Sequence, residues 1–132
     1  MYRLGAKSLE NLKGVNPILI EILERALEIS STRADGVDFT ITSTAGIRTP
    51  EQQNRLFKEG VSKADGYKKI SKHQTGDALD VVPYVNGRAS WDEKELLKVA
   101  VCMLQASKEL DYNIQWGGFW RTFKDLPHYQ IK

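Results

Sequence analysis

Residues 71–80 read SKHQTGDALD, and how this stretch is read decides the architecture of the whole chain. His73 is one of two histidines among 132 residues, and Asp80 follows it seven positions later. A Thr75-Gly76-Asp77 turn between them would fold His73 back toward Asp80, and the apolar run that follows, ALDVVPYV (78–85), reads as a strand that stops near Pro83. Taken by itself the stretch is compatible with either a polar turn between strands or half of a metal site. The second histidine, His128, opens another strand candidate, HYQI (128–131), directly after a proline. If the chain returns His128 to the turn, two imidazoles and one carboxylate meet. That is a sufficient protein shell for a catalytic zinc, which leaves its fourth position to water.

Outward from this stretch, periodicity and capping residues place the other elements. NPILIEILERALEIS (16–30) has Asn16 to cap, Pro17 at the first helical position, and Ile18, Ile22, Ala26 and Ile29 on one stripe. VDFTIT (37–42) alternates apolar and polar residues at period two, as a half-buried strand does. Thr49, Pro50 and Gln52 predict a capped helix that Gly60 ends, and a polar loop over 61–70 follows it. NGR (86–88) is a turn. SWDEKELLKVAVCMLQASKELDY (90–112) predicts the longest helix, with a capping box of Ser90 and Glu93 and a face of Leu97, Val101, Leu104 and Ser107. NIQW (113–116) and HYQI bracket a long loop and suit a hairpin. These elements predict an α+β fold, a small, largely antiparallel sheet covered by helices, in a single domain spanning residues 1–132.

Composition narrows the function classes. Hydrophobic residues make up 41% and charged residues 27%, ordinary globular usage, and no run approaches the roughly 20 apolar residues of a membrane span. A net charge of +2 argues against nucleic acid, although Lys63, Lys68, Lys69 and Lys72 cluster before and within the opening stretch. The lone Cys102 has no disulfide partner and sits among apolar residues. The N-terminus lacks the apolar core of a secretory signal, so synthesis in the cytoplasm without an export address is expected. A monomer is expected.

SKHQTGDALDVVPY matches the S-x-H-x-x-G-x-A-x-D signature of zinc peptidases that cut bacterial cell-wall peptides. In this respect the chain resembles the family of VanY-type D-alanyl-D-alanine carboxypeptidases and phage or bacterial L-alanyl-D-glutamate endopeptidases. The similarity extends through SLENLKGVNPILIEILERALEIS, GIRTPEQQNRLF, GDALDVVPYVNGR and WGGFWRTFKDLPHYQ, which look like the endopeptidase branch. The resemblance implies a fold of the hedgehog/D,D-peptidase kind, with Zn2+ held by His73, Asp80 and His128. It further implies Asp125 as general base, Arg48 near the substrate carbonyl, and Ser71 as a residue that orients its neighbours. Trp116 or Trp120 would line the substrate groove, with Trp116 favoured, and Gln53 is a weaker substrate candidate. The expected partner is bacterial peptidoglycan, cut at the L-alanyl-D-glutamate bond in the manner of an endolysin, with no nucleic acid or membrane partner. Four residues follow His128, so no separate wall-binding domain is expected, and without an export address the enzyme would act on the wall after release. Two rival readings stand beside it: a D-alanyl-D-alanine carboxypeptidase, and a non-catalytic zinc-binding module.

Overall fold

A computed structural model describes all residues from Met1 to Lys132. Four helices, α1 (Ala6–Asn11), α2 (Pro17–Thr32), α3 (Pro50–Lys58) and α4 (Glu93–Glu109), cover two antiparallel sheets of three strands each. One sheet has the order β1 (Asp38–Thr40), β3 (Val82–Val85), β4 (Arg88–Ala89). The other has the order β2 (Ala78–Asp80), β6 (His128–Ile131), β5 (Ile114–Trp116). The expected α+β class is therefore present, with two small sheets in place of one.

The division arises inside ALDVVPYV. Leu79 pairs with Tyr129 in one sheet while Val82 pairs with Thr40 in the other, so the chain changes sheets at Val81. Pro83 does not stop the strand as expected but sits within β3. Its carbonyl accepts the Ser90 N–H at 2.8 Å and so faces the short edge strand β4, which puts the missing N–H at the end of that ladder. The predicted strand over 37–42 shrinks to three residues for a related reason. Both flanking backbone donors are taken by serine hydroxyls, Val37 N–H by Ser30 Oγ at 2.9 Å and Ile41 N–H by Ser8 Oγ at 3.0 Å. Ser8 belongs to α1, a helix of six residues whose sequence carries no capping signal and which was not anticipated.

Helix α2 begins as expected, with the Asn16 side chain accepting the Ile18 N–H at 2.9 Å and Pro17 in the first turn. The capping box of α3 is complete, and Gly60 follows that helix at φ +77°. Helix α4 departs from expectation twice. Asp92 caps it, accepting the Lys94 and Glu95 amides, because the helix begins at Glu93 and Asp92 stands two residues closer to its first turn than Ser90, the expected cap. The buried face is Leu96, Val99, Ala100, Met103 and Ala106, while Leu97 and Val101 lie exposed. This stripe repeats at i, i+3, i+4 and i+7 and packs against α2, whose Leu19, Ile22, Leu23 and Ala26 are fully buried. Each of these aliphatic side chains contributes about 1.5–3 kcal/mol by leaving water, except Ala26 which contributes less. Tyr129 and Leu79, paired across β6 and β2, are also fully buried on the core side. The opposite side of this sheet is thereby left to carry polar groups.

Candidate metal centre and active site

Period two along β6 puts His128 and Gln130 on the face opposite Tyr129 and Ile131. Asp80 lies directly across from His128 in the register of β2 and β6. Val81 N–H donates to the Pro127 carbonyl at 2.8 Å, one residue beyond this pair on each strand, so Asp80 and His128 form a pair without mutual backbone bonds. Such pairs bring side chains closer than their hydrogen-bonded neighbours do. The 48 residues separating them in sequence are closed by strand register alone.

His73 arrives from the other direction, on the turn that precedes β2. Its backbone N–H donates to Ser71 Oγ at 3.2 Å, and its carbonyl accepts the Arg48 N–H at 3.2 Å. Gly76 has φ +84°, and a Cβ there would meet the Gly14 carbonyl at 2.5 Å, so the turn can close only with glycine. The Gly76 carbonyl in turn accepts the Asn16 N–H at 2.8 Å, and Asn16 Nδ2 donates to Asp77 at 3.0 Å. The cap of α2 thus anchors the turn that carries His73.

The three side chains converge. His73 Nε2 lies 3.3 Å from both His128 Nδ1 and Asp80 Oδ1, and His128 Nδ1 lies 3.2 Å from Asp80 Oδ1. A tetrahedral ion with bonds of about 2.0–2.1 Å separates its ligand atoms by about 3.3–3.4 Å, so this triangle has the dimensions of one face of a zinc site. The outer ring nitrogens sit against acceptors, His73 Nδ1 against the Gly46 carbonyl at 2.9 Å and His128 Nε2 against Gln130 Oε1 at 2.8 Å. With both outer nitrogens donating, each ring turns a lone pair inward onto the carboxylate. Three acceptors facing one another in a buried site require a positive charge between them.

Protonation of the cage reflects the same demand. Burial pushes the Asp80 carboxyl up, but the charges and hydrogen bonds of His73 and His128 outweigh it and hold it well below the usual carboxylate range. Burial lowers His128, yet the hydrogen bond and charge of Asp80 prevail and raise it above an ordinary imidazole. A proton can therefore occupy the cage, and a metal ion would have to displace it.

The second Asp80 oxygen accepts from Arg48 at 3.1 Å. Arg48 also donates to the Thr44 carbonyl at 2.7 Å and to Gln53 Oε1 at 3.0 Å, which places it behind Asp80 as well as at the groove wall. Gln53, expected as a substrate contact, is fully buried and absent from the groove lining. Its amide donates to Ser62 and to the Ala64 carbonyl, so it holds Arg48 and cannot reach a substrate. Ser71 does line the groove, and its hydroxyl orients the His73 backbone.

Asp125 stands on the open side, its Oδ2 3.9 Å from His128 Nδ1, with a side chain 41% exposed. Burial and the nearby charge of Asp80 raise its carboxyl above the ordinary range, outweighing His128, His73 and Arg48. Gly117 permits this position. Its carbonyl accepts the Asp125 N–H at 3.1 Å, and a Cβ there would collide with the Asp125 carbonyl.

The groove above the cage has a volume of about 480 Å³. Its aromatic lining is Trp91, Trp120 and Phe123, with the Trp120 ring 5.0 Å from that of His128. Trp116, expected in the groove, is instead 7% exposed in the core, paired with Tyr129, its Nε1 donating to the Leu126 carbonyl at 2.7 Å. Period two foretells this, since Ile114 and Trp116 share the apolar face of β5. Gln130 and Trp91 were not anticipated. Gln130 was legible as the residue two positions from His128 on the same strand face, whereas Trp91 sits in a connection that carries no periodic signal.

Comparison with known proteins gives the chain a family. The family described as phage L-alanyl-D-glutamate peptidase matches residues 1–130. The L-alanyl-D-glutamate peptidase of Escherichia phage T5 is 37% identical over 132 residues, covering 99% of this chain and 90% of that protein. The peptidoglycan L-alanyl-D-glutamate endopeptidase CwlK of Bacillus subtilis is 28% identical over 111 residues, covering 73% of this chain and 62% of that protein. Among solved structures, the L-Ala D-Glu endopeptidase ChiX of Serratia marcescens superposes with a TM-score of 0.81 at 34% identity, over 98% of this chain and 90% of that one. DacB from Streptococcus pneumoniae D39, at 20% identity and a TM-score of 0.52 over 91% of this chain and 67% of that one, shares the fold. The chain belongs to the phage L-alanyl-D-glutamate peptidase family.

Proposed function

We propose that this protein hydrolyses the L-alanyl-D-glutamate bond in the stem peptide of bacterial peptidoglycan, with zinc held by His73, Asp80 and His128 and with Asp125 as general base. The observation that carries the proposal is the triangle of inward-facing ligand atoms, 3.2–3.3 Å on a side, at the floor of a groove that Asp125 borders. Family membership supports the choice of bond.

Zinc bound here would lower the pKa of a water from 15.7 toward about 7 and polarise the scissile carbonyl. Asp125, its carboxyl raised above the ordinary range by burial and the nearby charge of Asp80, accepts a proton from the attacking water and delivers it to the departing amine of D-glutamate. Arg48 has five N–H donors, and three are engaged by Thr44, Gln53 and Asp80. Its remaining donors stabilise the negative charge that develops on the carbonyl oxygen, and the buried Gln53 keeps the guanidinium from swinging away. Trp120, whose ring lies 5.0 Å from that of His128, and Trp91 offer the groove an apolar wall for the substrate. The Lys63, Lys69 and Lys72 side chains on its rim attract an anionic wall polymer.

Digestion of purified peptidoglycan followed by mass spectrometry and labelling of new amines tests the reading. The expected product carries a newly exposed D-glutamate amine. Free terminal D-alanine without that amine would overturn it in favour of a carboxypeptidase, and no cleavage by zinc-loaded protein would favour a binding module.

A further inference from the structure

Gln130 and Gln115 are not accounted for by the catalytic reading, yet they form a chain of amides that ends on a cage ligand. Gln130 Oε1 lies 2.8 Å from His128 Nε2, and Gln130 Nε2 donates to Gln115 Oε1 at 2.8 Å. The two glutamines are direct cross-strand partners in β6 and β5, so the backbone register sets their spacing. They share the sheet face that carries His128, whereas their sequence neighbours Trp116 and Tyr129 point into the core.

A primary amide presents two donors at one end and an acceptor at the other, so its orientation decides what it offers to a neighbour. With its oxygen toward His128, Gln130 requires a hydrogen on Nε2 and leaves Nδ1 as a bare lone pair directed at Asp80 and His73. Rotated by half a turn, the same amide would present N–H to Nε2 and drive the imidazole hydrogen onto Nδ1, inside the cage. That hydrogen would occupy the place of a metal ion. The Gln130 nitrogen donates to Gln115 Oε1, and this bond favours the first orientation for as long as Gln115 presents its oxygen.

We propose that Gln115 and Gln130 act as a positioning relay which sets the tautomer of His128 and so determines whether the cage presents three acceptors. The inference rests on the metal reading for its consequence; in metal-free protein Asp80 competes for the same hydrogen at Nδ1, 3.2 Å away, so the first readout is the change of tautomer between variants. Because the relay is neutral, the cage keeps the single negative charge of Asp80. A hydrogen-bond partner on the outer nitrogen of a metal-ligating histidine typically accounts for about 10–100-fold in metal affinity.

The test uses variants at Gln115, the half-buried end of the relay away from the cage, and one at Gln130. At Gln115, a glutamate can only accept and a lysine can only donate, so Gln115→Glu enforces the present amide orientation and Gln115→Lys reverses it. Imidazole nitrogen-15 shifts are recorded on metal-free protein at alkaline pH, and zinc affinity is measured by competition with a chelator. Relative to wild type, Gln115→Glu is expected to shift His128 toward the Nε2–H tautomer, and Gln115→Lys toward the Nδ1–H tautomer with weaker zinc binding. Gln130→Leu should lose zinc affinity about 10–100-fold with the fold intact by circular dichroism. A His128 tautomer identical in Gln115→Glu and Gln115→Lys would overturn the relay. If Gln130→Leu fails to fold, the Gln115 pair decides the matter. Absence of zinc binding by wild type would defeat the metal reading and leave the tautomer result standing on its own.

Discussion

The cage has two halves that are held by different physics. Asp80 and His128 are opposed on neighbouring strands, where register places them and the packing of Leu79 and Tyr129 behind them resists any slip. A slip of one residue in β6 would turn His128 into the core and Tyr129 to the groove, which makes this half all-or-none. His73 sits on a turn whose position depends on a few backbone contacts, to Ser71, Arg48 and Gly46, and on the anchoring of Gly76 by Asn16. The strand half is a consequence of the folded core, and the turn half is a local structure leaning on it. A ligand that bridges the two should order the turn much more than the strands.

The largest effects should come from the ligands themselves. His73→Ala and His128→Ala are each expected to lose bound zinc and activity together, as measured by metal analysis of the dialysed protein and by peptidoglycan turbidity. Asp125→Ala should behave differently, retaining zinc while activity falls about 10²–10⁴-fold. Retained activity would remove Asp125 from the mechanism. The comparison of halves is sharpened by hydrogen exchange on metal-free protein. Amides of Val81 and Tyr129 should already be protected, whereas those of 74–77 should gain protection only when zinc is added. Equal protection of both halves without metal would break the distinction. Gly76→Ala, strained at positive φ and crowded by Gly14, should cost about 1–3 kcal/mol in chemical denaturation and weaken zinc binding through the turn alone. Asn16→Ala removes the α2 cap and the bond to Asp77, and should cost about 1 kcal/mol.

Acidity acts on the two halves together. The metal-free His128 is raised above an ordinary imidazole and binds a proton that zinc must displace. As pH falls through that raised value the proton gains occupancy and zinc affinity declines, and as pH rises above it affinity levels off. Chelator competition across pH 5–9 checks the direction, and an affinity that increases on acidification would contradict the assignment of His128 as ligand.

These two halves also differ in how far the amino-acid sequence reveals them. The signature over 71–80 and the DLPH run point to the three side chains that the structure brings together and to Asp125 beside them, since cap, turn and strand residues are local and each leaves a local mark. The helix caps at Asn16 and Thr49 were legible for the same reason. Misreadings arise where a tertiary partner competes for a local group. Serine hydroxyls on α1 and α2 take the backbone donors that would have lengthened β1, and Asp92 outcompetes Ser90 at the α4 cap. Gln53 looks polar enough to meet a substrate but is spent on Arg48, and Trp116 looks like a groove aromatic but follows the apolar period of β5 inward. The exchange of sheets at Val81 leaves no local mark, because an extended chain looks the same whichever neighbour it pairs with.

The central claim is that a strand-borne pair and a turn-borne histidine close on one zinc ion with a position left open. X-ray absorption at the zinc edge of the loaded protein tests it most directly. The account predicts one zinc per chain, four-coordinate, with two imidazole nitrogens, one carboxylate oxygen and one further light-atom ligand at about 2.0–2.2 Å. A coordination shell with fewer than two imidazoles, or one containing sulfur, would contradict it.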